Sequence, residues 1–185
     1  MWLEKLEWDE VLPERIQTKL DRWLNDLKYL EGIKFRRWLG SQDNVKQSIH
    51  IFVDSSETAY ASVAYLRTEN LKTKRVHCNI IAAKTKVSPL IWTSMPRLEL
   101  MGSMLGLKLS EKVRKALDIE EITYWTDSRN VLGWIKNRSH EFKPFIAQRV
   151  SNIQQMSDIK NWRYVPSSEN PADIWVHGRA THEEI

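Results

Sequence analysis

The spacing of hydrophobic and polar positions changes near residue 46. Before that point, apolar residues recur every three or four positions from residue 16 to residue 30, and Pro13 suits the first position of a helix. After it, short apolar runs separated by polar breaks predict a meander of three antiparallel strands. These runs occupy residues 49–54, 58–67 and 76–87.

The rest of the chain alternates between the two kinds of element. An apolar face that begins at Pro96 and extends to residue 117 predicts a long helix. The pattern then predicts a strand, two helices, a strand and a final turn or helix, at residues 121–127, 128–137, 144–157, 162–166 and from 170. Strands followed by β/α alternation imply an α/β fold with a mixed five-stranded sheet flanked by helices. Turn-forming residues cluster at 40–47, so we predict a helical tether over residues 1–45 and one domain over residues 46–185.

Composition says more about the cellular location of the protein than about the molecules it binds. Residues 46–185 hold 20 Lys and Arg against 15 Asp and Glu, a modest preference for polyanionic partners. The single Cys78 forms no internal disulfide, and no apolar run approaches the ~20 residues of a membrane span. We therefore expect an intracellular protein without a membrane segment, in either the cytoplasm or the nucleus.

Three acidic residues lie where predicted elements end or turn inward. Asp54 and Asp127 close the first and fourth strands, and Glu99 lies one turn into the long helix. If the two strands are neighbours, their carboxyl ends bring the two aspartates together. Crowded carboxylates repel one another unless a cation is present. Oxygen ligands without Cys or His favour Mg²⁺ or Mn²⁺ over zinc.

Four motifs carry a resemblance to a known family. They are FVDSS (52–56), PRLEL (96–100), YWTDS (124–128) and WRYVPSSENPAD (162–173). In this order and at these intervals they resemble the RNase H-like region of BEL/Pao-type LTR retrotransposon polyproteins, a segment also labelled Pao retrotransposon peptidase. Residues 8–27 are similar to the stretch that joins reverse transcriptase to RNase H in those polyproteins.

The resemblance implies an RNase H fold and a specific chemistry. It assigns the catalytic and metal-binding roles to four carboxylates, which fall on Asp54, Glu99, Asp127 and Asp173. Two Mg²⁺ or Mn²⁺ ions at these residues would hydrolyse the RNA strand of an RNA–DNA hybrid. The implied partners are the hybrid and a reverse transcriptase domain of the same polyprotein.

Recognition of a hybrid requires small polar contacts to ribose 2′-hydroxyls close to the metals. Four residues occupy suitable positions, although each also suits a helix cap or a turn. They are Ser55, Ser56, Ser128 and Asn130.

The sequence departs from the family pattern at two places. Residues 166–170 lack the His that many RNases H carry before the last aspartate, and residues 174–178 read IWVHG where relatives have a small residue and an Arg. The five His residues show no ligand pattern. A catalytically decayed or domesticated copy that binds nucleic acid or protein without cleavage is therefore the alternative function.

Two further activities fit less well. An aspartic peptidase needs Asp-Ser/Thr-Gly loops, but Ser55 and Ser56 follow Asp54, and Ser128 and Arg129 follow Asp127. A transposase or integrase usually closes its site with an acidic residue in a different sequence context.

Overall fold

The structure is a computed structural model that describes residues 6–7, 9–32 and 44–177, without the side chains of residues 30–32. The chain divides into two compact units, Met1–Arg37 and Trp38–Ile185. The predicted tether and domain, with their boundary at residue 45, stay predictions. Part of the turn-rich segment at 40–47, and residues 178–185 of the predicted domain, lie outside the described residues.

The first unit contains the predicted N-terminal helix. Helix α1 spans Glu14–Asp26, and a 3-10 helix follows at Leu27–Gly32. None of the thirteen residues of α1 is buried, and Trp23 and Leu24 are 57% and 48% exposed. The amphipathic pattern therefore predicted the helix correctly, but within the described part of this unit its apolar face is not buried.

The second unit is built on the predicted mixed sheet, which is confirmed. The five strands are β1 (Val45–Ser55), β2 (Ala59–Asn70), β3 (Val76–Val87), β4 (Ile122–Thr126) and β5 (Trp162–Tyr164). Their order across the sheet is β3-β2-β1-β4-β5. Strands β1 to β3 pair antiparallel, whereas β4 pairs parallel with both β1 and β5. The parallel pairs bring the carboxyl ends of β1, β4 and β5 to one edge.

The predicted helices of the second unit are also present, with small shifts at their ends. They are α2 (Met95–Leu117), α3 (Arg129–Lys136), α4 (Pro144–Met156) and α5 (Asp173–His177). Pro at the start suits α2 and α4, since the ring fixes a helical φ and removes only an N–H that has no partner there. Helix α2 ends at Asp118, whose φ of 55° is left-handed and stops the helix. Among the described helices, none is long and apolar enough to cross a bilayer.

Helix α2 lies directly on β1 because two of its glycines face the strand. A Cβ atom at Gly106 would come within 2.5 Å of Val53 Cγ1 and 3.1 Å of Ile51 Cγ2. One at Gly102 would lie 3.0 Å from the backbone oxygen of Asp54. The apolar side chains of β1 that this packing covers are almost fully buried. The helix and the last residues of β1 are therefore held in one fixed relation.

Candidate metal centre

The register of the two central strands brings the first two acidic residues together. Val53 of β1 pairs with Thr126 of β4 in the parallel ladder, so Asp54 and Asp127 each follow one member of that pair. The first and fourth strands are therefore neighbours, which is the condition for bringing their terminal aspartates together. Both aspartates lie at the carboxyl edge of the sheet, where sites of α/β proteins are usual.

Asp54 is the buried member of the cluster. Its side chain is 9% exposed, and Oδ1 accepts a hydrogen bond of 2.7 Å from the backbone N–H of Ser55. Burial, together with the negative charges of Asp127 and Asp173, raises the pKa of Asp54 to about 7. The Asp54 carboxylate is therefore subject to negative charge from two separate parts of the fold, the end of β4 and the start of α5.

Glu99 approaches the same place from α2. Its Oε2 accepts a 2.6 Å hydrogen bond from the hydroxyl of Ser128, and the same hydroxyl caps α3 by accepting from the backbone N–H of Val131 at 3.2 Å. Burial and, more weakly, the charge of Asp127 raise the pKa of Glu99, against the lowering effect of the Ser128 bond. One hydroxyl thus ties the helix glutamate to the element that follows β4.

Asp127 is bound by the loop that precedes α5. Its Oδ2 accepts a 2.6 Å hydrogen bond from the hydroxyl of Ser167, the first residue of a 3-10 turn at Ser167–Glu169. Residues 166–170 of this loop contain no His. Here a neutral hydroxyl orients the carboxylate.

Asp173 opens α5, and its position depends on side chains far away in the sequence. The buried Asn170 donates from Nδ2 to the backbone oxygen of Val53 at 3.1 Å, and its Oδ1 accepts from the N–H of Ala172. At the other end of α5, the hydroxyl of Ser56 donates to the backbone oxygen of Val176 at 3.0 Å. Two hydrogen bonds therefore fix the short helix against the end of β1 and the turn after it.

His177 is a member of the cluster that sequence reasoning missed. Its Nε2 lies 3.1 Å from Asp173 Oδ1, and ligand atoms of Asp54, Asp173 and His177 lie within 4.8 Å of one another. The four-residue spacing of Asp173 and His177 is a signal for one face of a helix. A five-residue helix, however, is too short for its sequence to show which residues share a face.

The donor set fits a small divalent cation. Among the residues that the structure describes, no Lys or Arg forms an ion pair with any of the four predicted carboxylates. Repulsion between such neighbours is relieved by a bound cation. Carboxylate oxygens are the preferred ligands of Mg²⁺ and Mn²⁺. The arrangement can therefore hold metal ions at the carboxyl edge of the sheet.

Three of the four predicted substrate contacts form hydrogen bonds within the protein. Ser55 and Ser56 are buried, and their hydroxyls donate to Met95 Sδ and to α5. Ser128 is buried and is bound to Glu99. Asn130, in the first turn of α3, is exposed. It is the member of the set whose side chain faces solvent.

Comparison with known proteins supplies the family. A family model described as the Pao retrotransposon-like RNaseH-like domain matches residues 1–128. No curated protein sequence matches the chain.

Several solved structures are similar at low identity. The N-terminal RNase H domain of a Mycobacterium tuberculosis protein, solved as a fusion with maltose-binding protein, is 15% identical with a TM-score of 0.49, covering 72% of this chain and 93% of that one. RNase H1 of Halobacterium salinarum is 12% identical with a TM-score of 0.41, covering 68% and 89%. LC11-RNase H1, in complex with an RNA/DNA hybrid, is 13% identical with a TM-score of 0.43, covering 69% and 91%.

The family assignment thus comes from the sequence model, which spans well over half of the chain and includes β1 to β4. The sheet has the mixed topology that the resemblance implies. The chain belongs to the Pao retrotransposon-like RNaseH-like domain family.

Proposed function

We propose that this chain is the RNase H-type nuclease of a retrotransposon polyprotein, which uses two Mg²⁺ or Mn²⁺ ions to hydrolyse the RNA strand of an RNA–DNA hybrid. The observation that best supports the proposal is the crowding of acidic side chains near the carboxyl edge of the sheet, where ligand atoms of Asp54 and Asp173 lie within 4.8 Å of each other. Buried Asp54 feels the charges of Asp127 and Asp173, and Glu99 feels that of Asp127. Carboxylates with strongly perturbed pKa values are concentrated at functional sites of proteins, so this crowding favours a function for the site.

The chain contributes the position of each ligand. Asp54 would hold metal together with Asp127, which follows β4, and Asp173, which opens α5, because the charges of both act on it. The hydroxyls of Ser128 and Ser167 hold Glu99 and Asp127 in fixed orientations, as outer-shell partners do in metal sites. When bound, the ions would polarise the phosphoryl group and lower the pKa of a water nucleophile.

The proposed partners follow from the same site. Asn130 is the proposed contact to a ribose 2′-hydroxyl, because its side chain is exposed beside the centre. Ser55, Ser56 and Ser128 are proposed to line the substrate surface while they hold the ligands. The segment 1–45 is proposed as the tether to a reverse transcriptase domain that supplies the hybrid.

The test is a cleavage assay with the purified chain and a labelled RNA–DNA hybrid. We expect the RNA to be cut in Mg²⁺ and not in EDTA, and double-stranded DNA to stay intact. Asp127→Asn should remove cleavage but keep hybrid binding, since it removes a metal ligand. Asp118→Asn is the matched control: Asn tolerates the left-handed φ of 55° at this position, at the opposite end of α2 from Glu99.

Two outcomes count against the proposal. Equal loss of binding and cleavage in Asp127→Asn would make Asp127 a structural residue. Hybrid binding by the wild type without cleavage in either Mg²⁺ or Mn²⁺ would favour the decayed or domesticated copy.

A further inference from the structure

The surroundings of His177 differ from those of an ordinary surface ion pair. Its Nε2 lies 3.1 Å from Asp173 Oδ1, and both side chains are about half exposed, at 48% and 50%. Taken alone, a pair four residues apart on a helix is a weak surface interaction. A third group changes the picture, because a ligand atom of the buried Asp54 lies within 4.8 Å of ligand atoms of both residues.

The spacing of these three atoms suits one ion. Bonds from small divalent cations to oxygen and nitrogen ligands are roughly 2.0–2.2 Å long, so donors around one ion lie up to about 4.4 Å apart. In the structure, ligand atoms of the three residues lie within 4.8 Å of one another, and His177 Nε2 is 3.1 Å from Asp173 Oδ1.

The three donors come from elements that other contacts already fix. Asp54 ends β1, and α5 is tied to β1 and to the following turn by Asn170 and Ser56. The imidazole therefore reaches the acidic cluster on a held helix, and not by a chance approach of a surface side chain.

We propose that His177 is a direct ligand of one of the metal ions, together with Asp54 and Asp173, so that this position has a mixed nitrogen and oxygen coordination sphere. The inference rests on the proposed function and adds metal selectivity to it. Imidazole favours transition metals over Mg²⁺, which prefers oxygen ligands. This position therefore binds Mn²⁺ more tightly than Mg²⁺, whereas Glu99 and Asp127 contribute oxygen ligands only.

The experiment measures Mn²⁺ binding to the full chain by electron paramagnetic resonance, with pulsed detection of ¹⁴N coupling to the bound ion. His177→Arg is the decisive variant, because Arg keeps an ion pair with Asp173 but offers no lone pair to a metal. His177→Gln removes the imidazole without introducing a charge. His140→Ala, at an exposed position in the 3-10 turn Ser139–Glu141, is the matched control.

The wild type and His140→Ala are expected to show ¹⁴N coupling, and both His177 variants to lose it. Mn²⁺ binding at this position should weaken by at least about tenfold in the variants, since loss of even an outer-shell partner costs ~10–100-fold. Mg²⁺ binding should change less. Selectivity for Mn²⁺ over Mg²⁺ should therefore fall in both variants.

Two results would overturn the inference, and they are distinguishable. If wild-type protein binds Mn²⁺ without ¹⁴N coupling, or if His177→Arg keeps the affinity, then His177 is an ion-pair partner only and the proposed nuclease stands. If the wild type binds neither Mn²⁺ nor Mg²⁺ more tightly than Asp54→Asn does, then the metal centre itself fails, and this inference fails with it.

Discussion

The residues of the candidate metal centre lie on elements that are held in place in two different ways. Asp54, Glu99 and Asp127 lie on or directly beside β1, α2 and β4, which pack together through buried backbone and glycine contacts. Asp173 and His177 lie on a five-residue helix held by side-chain hydrogen bonds. The first group is fixed by the core, whereas the second depends on a few polar contacts. The centre therefore has two parts. We call Asp54, Glu99 and Asp127 its rigid side, and Asp173 and His177 its adjustable side.

The largest effect should come from disturbing the rigid side. In Gly106→Val, the new Cβ atom would lie only 2.5 Å from Val53 Cγ1. Val53 is 1% exposed, so the surrounding core leaves its side chain no space to move. Overpacking of this kind typically costs 1–3 kcal/mol, and we expect about 3 kcal/mol in the free energy of unfolding, measured by urea denaturation.

Gly133→Val is the matched control for this change. It also lies in a helix, α3, but a Cβ atom there meets nothing within 4 Å. Its effect should stay within about 0.5 kcal/mol. Equal losses in the two variants would show that helix propensity, and not the close contact between α2 and β1, sets the cost.

A smaller effect is expected from the adjustable side. Asn170→Ala removes the 3.1 Å bond to the backbone oxygen of Val53 and the acceptor for Ala172. Leaving buried partners unsatisfied costs about 1–3 kcal/mol, and we expect about 2 kcal/mol. Since α5 loses its attachment, the Mn²⁺ affinity measured by titration should fall as well. Asn137→Ala, at an exposed helix end, should change neither quantity by much.

The outcome of this change tests the comparison itself. If Asn170→Ala lowers stability and leaves metal affinity intact, then α5 is positioned by something other than Asn170. The adjustable side would then be as firmly held as the rigid one.

The smallest effect concerns charge at the centre of the rigid side. The folded pKa of Asp54 is about 7, above its ordinary value of 3.8. The native state therefore favours the protonated group, and metal-free protein loses this stabilisation as pH rises from about 4 to about 7. Asp54→Asn removes the charge. In EDTA at pH 8 it should raise the free energy of unfolding by on the order of 1 kcal/mol, or a few degrees in melting temperature.

The pH and metal dependence provide the controls for this prediction. At pH 4 the advantage of Asp54→Asn should almost disappear. Saturating Mg²⁺ should stabilise wild type more than the mutant, because the native wild-type protein binds the ion more tightly. Asp173→Asn should gain less in EDTA, since its half-exposed charge is screened by water. A loss of stability in metal-free Asp54→Asn would mean that Asp54 is a structural hydrogen-bonding residue.

The sequence predicts much of the rigid side of the centre but little of the adjustable side. Apolar runs and helical periodicity predict β1, α2 and β4, and strand-end reasoning then brings Asp54 and Asp127 together. The structure begins β1 at Val45, four residues before the apolar run, because polar residues there pair with the end of β2. Boundaries set by partner strands are invisible in local pattern.

The adjustable side could not be derived in this way. Only the family motif assigns Asp173, and nothing in the sequence points to His177, because residues 167–177 are too irregular to show which side chains share a face. Their placement depends on Ser56 and Asn170, whose bonding partners lie 120 and 117 residues away in the chain. Such long-range polar contacts follow from the completed fold, and a single sequence gives no signal for them.

Those separations also order events during synthesis. A chain emerging from the ribosome at roughly 5–20 residues per second can pair β1, β2 and β3 long before the residues of α5 exist. The hydrogen-bond partners of Ser56 and Val53 lie more than a hundred positions downstream. Contacts of such high sequence separation form late in folding. The metal centre is therefore assembled last, after the sheet that carries it. A nascent or truncated polypeptide ending just before Asp173 would contain all five strands but lack the complete set of ligands.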